Sequence, residues 1–234
     1  TTEEVRRRFV SDASHELKTP LASIRLLTDS LLQADHMDGE TAREFLNDIG
    51  DEADRLTRIT EKLLTLTRLD TAPAAEDVPV DVGAVVERVE HMLSPLARAV
   101  EVSLELKLQP GCVVLATEDD LYQIAFNLME NAVKYNLPGG RVLVTLTADG
   151  GRVVLRVEDT GVGIPEADLP KIFDRFYRVD KARSRAAGGT GLGLSIVRDT
   201  VLQHGGAVTA RRREPEGTCF EVSFAQWNGE EVGR

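Results

Sequence analysis

His15 lies in the run Phe9-Val10-Ser11-Asp12-Ala13-Ser14-His15-Glu16-Leu17-Lys18-Thr19-Pro20-Leu21, an imidazole with a carboxylate beside it and a hydroxyl one turn later. An imidazole that faces solvent can act as a nucleophile, because with an ordinary pKa of about 6.5 it keeps a free lone pair at pH 7. The spacing predicts that His15 faces outward. Val10, Ala13, Leu17, Leu21, Ile24, Leu27 and Leu31 recur every third or fourth position, and His15 lies roughly 160 to 200° around the helix from Ala13 and Leu17. Glu16 can orient or relay the ring proton, and Thr19 shares the polar face. A solvated helix face without chemistry fits the same residues. A His-Glu-x-x-His zinc site is excluded, since Thr19 stands where the second histidine belongs.

Three later groups suit a phosphate-bearing ligand. Asn127 and Asn131, four apart on one predicted helix face, offer two amide oxygens suited to Mg²⁺ beside phosphates, and Lys134 adds a positive charge one turn on. The stretch Val157 to Pro165 leaves a strand through Asp159, which can accept from an exocyclic amine, and turns through Gly161 and Gly163, where a ligand can approach the backbone. Gly188-Gly189-Thr190-Gly191-Leu192-Gly193 runs straight into a helix, so that free N–H groups and the positive dipole end point at whatever precedes it. Phosphate is the natural guest. The Walker pattern is absent and the loop does not follow a strand at dinucleotide-fold spacing, which disfavours a P-loop or a Rossmann fold. Phe173 to Arg185 sets aromatics beside cations, the composition of a mobile lid over anions. Each group also has a plain structural reading: solvated asparagines, a tight turn, a basic surface loop.

The elements that must position these residues fall into two blocks. Thr2 to about Leu69 is helical throughout, with a second apolar stripe (Phe45, Ile49, Ala53, Leu56, Ile59, Leu63, Leu66, Leu69) after a polar break at 33–39. This is an antiparallel hairpin, and two helices bury too little alone, so a homodimeric four-helix bundle is expected. Residues 71–79, aperiodic and with two prolines, are the expected linker between a domain at 1–70 and another at 80–228, with 229–234 as a tail. The second block alternates strand patterns around Val100–Leu108, Val142–Leu146, Val153–Val157 and Phe220–Phe224 with helical signals at 81–98, 118–135 (Thr117 as N-cap) and 192–203. An α/β two-layer sandwich follows.

The five groups in this order resemble the transmitter core of bacterial sensor histidine kinases over almost the whole chain. The resemblance implies a dimerisation and histidine-phosphotransfer domain followed by a catalytic ATP-binding domain of the Bergerat fold. It puts the phosphate acceptor on His15, the Mg²⁺ ligand on Asn131 with Asn127 assisting, and the adenine-amine acceptor on Asp159. Lys134 and Arg178 match phosphate-contacting positions, and Tyr135 the one that packs on the base. Gly161, Gly163 and Ile164, then Gly189, Thr190, Gly191, Leu192 and Gly193, match the two glycine boxes around the nucleotide. ATP and Mg²⁺ are the implied cofactors, and the receiver domain of a response regulator is the implied partner. His-Glu-x-x-Thr, completed by Thr19, marks transmitters that also dephosphorylate that regulator. An ATP-driven conformational ATPase of the same fold and a nucleotide-binding dimeric scaffold are the alternatives.

Composition narrows the field. The chain of 234 residues carries 42% hydrophobic and 29% charged residues, a globular balance, and its net charge of −11 argues against nucleic acid as a partner. No apolar run approaches the ~18 residues that cross a bilayer, so a membrane is expected only through a region upstream of Thr1, with this portion cytoplasmic. Cys112 and Cys219 have no metal-site spacing and are expected as buried free thiols. His36, His91 and His204 lack motifs and are expected as surface or capping residues.

Overall fold

Two long helices open the chain, α1 (Thr2–Gln33) and α2 (Gly39–Thr71), in a computed structural model that describes residues 2–34, 36–71, 76–180 and 189–229. Residues 72–75 of the expected linker, 181–188 of the expected lid and glycine loop, and 230–234 of the expected tail lie outside the described residues. The helix α1 continues through Pro20, although the missing N–H removes one rung of its ladder. The break falls at 33–39 as expected, and Asp38 stops it from fraying: its carboxylate accepts from the backbone N–H of Glu40 and Thr41 at 3.0 and 2.8 Å. Within one chain the two stripes close only partly. Ile59 and Leu66 are the fully buried apolar side chains of the described hairpin, while Leu21, Leu26, Leu32, Leu46 and Leu64 stay exposed.

The second block begins earlier than its composition suggests. Val78 and Pro79, expected in the linker, belong to strand β1 (Val78–Asp81), which pairs antiparallel with β3 (Val113–Ala116). Pro79 is tolerated because this small sheet has only two strands and its outer edge needs no donor. The main sheet has the order β2 (Ser103–Leu108), β4 (Arg141–Asp149), β5 (Arg152–Asp159), β7 (Thr218–Ala225), β6 (Ala207–Arg212), with β2 and β4 parallel and the other pairs antiparallel. Gly150 and Gly151, at φ of 57° and 77°, make the tight turn between β4 and β5 that other residues resist.

Helices α3 (Val82–Ala99), α4 (Glu118–Lys134) and α5 (Gly193–Gln203) pack against the sheet, α4 between the other two. Asp81 caps α3 and Thr117 caps α4, accepting from the Asp120 N–H at 3.2 Å as its position predicts. Leu128 and Met129 of α4 meet Val144, Val157 and Val222 of the strands in one continuous core, so the sandwich closes on itself.

The hairpin docks on the sandwich through a second, smaller cluster. Leu66 of α2 packs with Leu192 and Ile196, and Phe9, Leu63, Leu69 and Phe176 surround them. Phe9 and Phe176 lie 6.1 Å apart between ring centroids, and the Arg175 guanidinium sits 5.0 Å over the Phe9 ring while binding Asp70 and Asp199 at 3.0 Å. Burial of one leucine there contributes about 1.5–3 kcal/mol. Among the described residues no helix is long and apolar enough to cross a membrane.

Candidate functional site

A cavity of about 350 Å³ opens between the end of α4, the β5 exit turn and the start of α5. Asn131, Lys134, Tyr135, Asp159, Gly163, Ile164, Arg178, Gly189, Thr190, Gly191 and Gly193 all line it, so most of the sequence candidates converge on one space. Asp159 ends β5 deep in the wall. Its Oδ1 accepts from the N–H of Gly161 at 2.9 Å and of Thr218 at 3.2 Å, so Oδ2 is left to meet a ligand. Burial pushes the Asp159 carboxyl above its ordinary pKa, against those two backbone hydrogen bonds and Arg213, which lower it.

Two glycines are required by close approach rather than by flexibility alone. A Cβ on Gly161 would lie 2.4 Å from the Tyr135 carbonyl oxygen, and one on Gly191, at φ +72°, would lie 2.8 Å from the Phe176 carbonyl carbon. Gly161 is thus a packing residue behind the cavity wall. Leu192, also expected at the ligand, is fully buried in the docking cluster instead, because it faces Leu66 across the interface. No side chain caps the start of α5, and Gly193 and Leu194 of its first turn line the cavity. Such a helix start offers N–H donors and a positive dipole end to an anion.

Asn127 stands one turn before Asn131 but does not reach the cavity surface. Its Nδ2 donates to the Gln123 carbonyl at 2.8 Å, which leaves the amide oxygen turned toward Gly193, 2.9 Å from where a Cβ there would sit. The oxygen is oriented as an acceptor behind the wall. Lys134 pairs with Glu130 at 2.8 Å. Chemically the space joins a buried acceptor, Asp159, to cations, the Asn131 amide and a helix start, a set that fits a purine with a polyphosphate tail.

Arg178 departs most from expectation. Its side chain is only 3% exposed, and its Nη2 donates to Glu16 Oε2 of the hairpin at 2.7 Å. Arg55 of α2 approaches the same oxygen at 3.6 Å. Glu16 is therefore held by two guanidiniums, while its neighbour His15 is exposed. Thr19 is also exposed, its hydroxyl donating back to the His15 carbonyl at 3.2 Å. The expected lid is anchored at its start, where Phe173 meets Phe220 edge to face at 6.3 Å and Phe176 meets Phe9.

Two residues escaped the sequence reading. Lys62, from the middle of α2, lines the cavity; burial pulls its ammonium below the ordinary lysine pKa, with Glu130 opposing and Lys134 and Arg58 reinforcing. Nothing around it in sequence marks it. His204 does end α5 as a capping residue but is buried, not on the surface. Its Nε2 meets Asp120 at 3.0 Å, and its Nδ1 lies 2.9 Å from Asp77 at a poor hydrogen-bonding angle. Asp120 in turn lies 3.6 Å from Arg68 of α2. Cys112 and Cys219 are buried and free, and His36 and His91 are exposed.

Comparison with known proteins agrees with this layout. Residues 5–72 match the His Kinase A (phospho-acceptor) domain, and residues 116–227 match the histidine kinase-, DNA gyrase B-, and HSP90-like ATPase family. The sensor-like histidine kinase SenX3 of Mycolicibacterium smegmatis is 36% identical over 226 residues, covering 96% of this chain and 59% of its own length. A solved structure of the mycobacterial sensor histidine kinase MprB is 32% identical and superposes with a TM-score of 0.55, covering 64% of this chain and 97% of its own. Histidine kinase ThkA, solved in complex with response regulator protein TrrA, shares the fold at a TM-score of 0.78 and 20% identity, over 96% of this chain and 65% of its own. The chain spans about half the length of the curated relatives it matches.

Proposed function

This chain belongs to the histidine kinase family, and from that premise we propose that it phosphorylates His15 with ATP and passes the phosphoryl group to an aspartate of a partner response regulator. One observation carries the reading: Arg178 lines the nucleotide cavity and also bonds Glu16, the residue next to the acceptor. The cavity and the nucleophile are thus joined by a single ion pair. In this reading the hairpin, to Thr71, is the phosphotransfer and dimerisation domain, and the sandwich, from Val78, is the catalytic domain. The exposed apolar residues of the hairpin support pairing with a second copy. In this reading the chain is the cytoplasmic core of a longer, membrane-anchored sensor, in keeping with relatives that are sensor kinases about twice its length. The complex of ThkA with TrrA supports a regulator as the phosphoryl recipient.

Bound with Mg²⁺, ATP supplies an electrophilic γ-phosphorus whose charge is partly neutralised. Asn131 offers the amide oxygen for the metal, and Asn127 orients behind it. Lys134 and the first turn of α5 receive the phosphates, Asp159 Oδ2 accepts from the base amine, and Tyr135 and Ile164 flank the ring. His15 attacks the γ-phosphorus with its free ring nitrogen, the bond from that phosphorus to the β,γ-bridging oxygen breaks and ADP leaves, while Glu16 takes the proton from the other ring nitrogen. The Arg178–Glu16 pair opens first, because Glu16 cannot accept a proton and Arg178 cannot meet phosphate while they hold each other. Thr19 places a water that hydrolyses the regulator's aspartyl phosphate, releasing inorganic phosphate. Changing it to Ala is expected to abolish regulator dephosphorylation in the presence of ADP while leaving autophosphorylation intact.

Incubation with γ-labelled ATP tests the main claim. The expected product is acid-labile, alkali-stable label on the protein, absent from His15→Gln. Release of inorganic phosphate with no protein-bound label would favour the conformational ATPase instead.

A further inference from the structure

Lys62 belongs to the hairpin, yet it forms part of the cavity wall of the sandwich beside Glu130, Asn131 and Lys134. Its Nζ lies 3.8 Å from the point where a Cβ on Gly193 would sit, and Asn127 Oδ1 lies 2.9 Å from that same point. The ammonium therefore stands at the start of α5, next to the amide oxygen and the unpaired first turn of the helix. Among the described residues it forms no hydrogen bond or ion pair. Glu130, the carboxylate that acts on it most strongly, is already engaged by Lys134 at 2.8 Å.

An ammonium partly withdrawn from water without a partner is disfavoured, and the natural compensation is an anion. Lys134 alone is balanced by Glu130, so the cation in excess at this end of the cavity is the one that the hairpin brings in. We propose that Lys62 is a ligand for the di- or triphosphate of the nucleotide, contributed by the hairpin, so that docking of the two domains completes the phosphate subsite. This rests on the nucleotide reading above and adds to it a residue from outside the catalytic domain. A polyphosphate held by both domains favours their docked arrangement, and by linkage docking raises affinity for the polyphosphate. The adenine end of the cavity, around Asp159, takes no part in this coupling.

Calorimetric titration of the whole chain with adenosine, ADP and ATP, each with Mg²⁺, tests the assignment in wild type, Lys62→Ala and Lys62→Arg. The alanine variant is expected to lose about tenfold in affinity for ADP and ATP, as removal of one charge-assisted contact does, with adenosine unchanged. Arginine is expected to restore most of the loss. Unchanged or tighter ADP binding by Lys62→Ala overturns the proposal, the latter because the side chain then merely fills the cavity. An equal loss for adenosine overturns it too, by pointing to packing. A wild-type chain that binds none of the three ligands overturns the nucleotide reading itself.

Discussion

The hairpin and the sandwich treat their apolar residues in opposite ways. In the sandwich, α3, α4 and α5 bury most of theirs, with Met92 and Leu202 exposed, and Val86, Leu128, Met129 and Val144 have no exposed surface. In the hairpin, stripe residues such as Leu17, Ile24, Leu27, Phe45 and Leu56 are only half-buried, and Leu21 is 54% exposed. One unit closes on itself, and the other leaves part of its seam uncovered. On the proposed function the nucleotide chemistry falls in the unit whose core is complete, and the acceptor in the unit whose apolar face stays open to partners.

That contrast can be broken at several points. Leu128→Ala, deep in the sandwich, is expected to cost about 2–5 kcal/mol and to lower the sandwich melting transition in calorimetry without altering the association state. If it dissolved the dimer as well, the two units would not be independent. Arg175→Ala removes a two-pronged contact to Asp70 and a third to Asp199. A loss of about 1.5–3 kcal/mol is expected in domain docking, read as faster proteolysis at Glu76-Asp77 with the sandwich transition unmoved.

His204→Gln probes the tie between the linker end and the sandwich. The carboxylates of Asp77 and Asp120 face His204, and Arg68 reaches Asp120 from the hairpin. The bond to Asp120 raises the His204 pKa above its ordinary value, burial opposing it and Asp77 adding to it. A raised folded-state pKa stabilises most below the unfolded value of about 6.5, and the gain is lost as pH rises through the folded value. Wild type should therefore exceed the variant by about 1–3 kcal/mol in acid, the gap shrinking above neutrality. A gap independent of pH in urea melts would remove the charge from the account. Leu21→Glu should have the smallest effect on one chain, within about ±0.5 kcal/mol. Sedimentation should nonetheless show it shifting the dimer toward monomer by at least about tenfold in Kd.

What the sequence shows and what it hides follow the same division. Local signals mark both long helices, the helix cap Thr117 and the strands β2, β4, β5 and β7, whereas Asp81, read as the start of a helix, is its cap. The strands β1 and β3 have only four residues each, and β1 contains Pro79, so neither presents enough alternation to be read. The strand β6 is obscured by its charged Arg211-Arg212 end. Motif residues converge on one cavity since glycine boxes and the α4 face are local devices. Arg178 with Glu16, 162 positions apart, and Lys62 beside Gly193 are products of domain docking, for which neither segment carries a pattern. Leu192 looked like a ligand residue from its place between glycines, but its size and apolarity serve the interface with Leu66.

On the proposed function the cavity of the sandwich serves one imidazole of the hairpin, that of His15. Mass-spectrometric mapping of the modified residue, at neutral pH after incubation with ATP and Mg²⁺, tests it most directly. The phosphoryl group is predicted on His15, and it should be absent when Asn131 is changed to Asp. Modification of any other residue, or of His15 in the Asn131→Asp protein to the wild-type extent, would contradict the account.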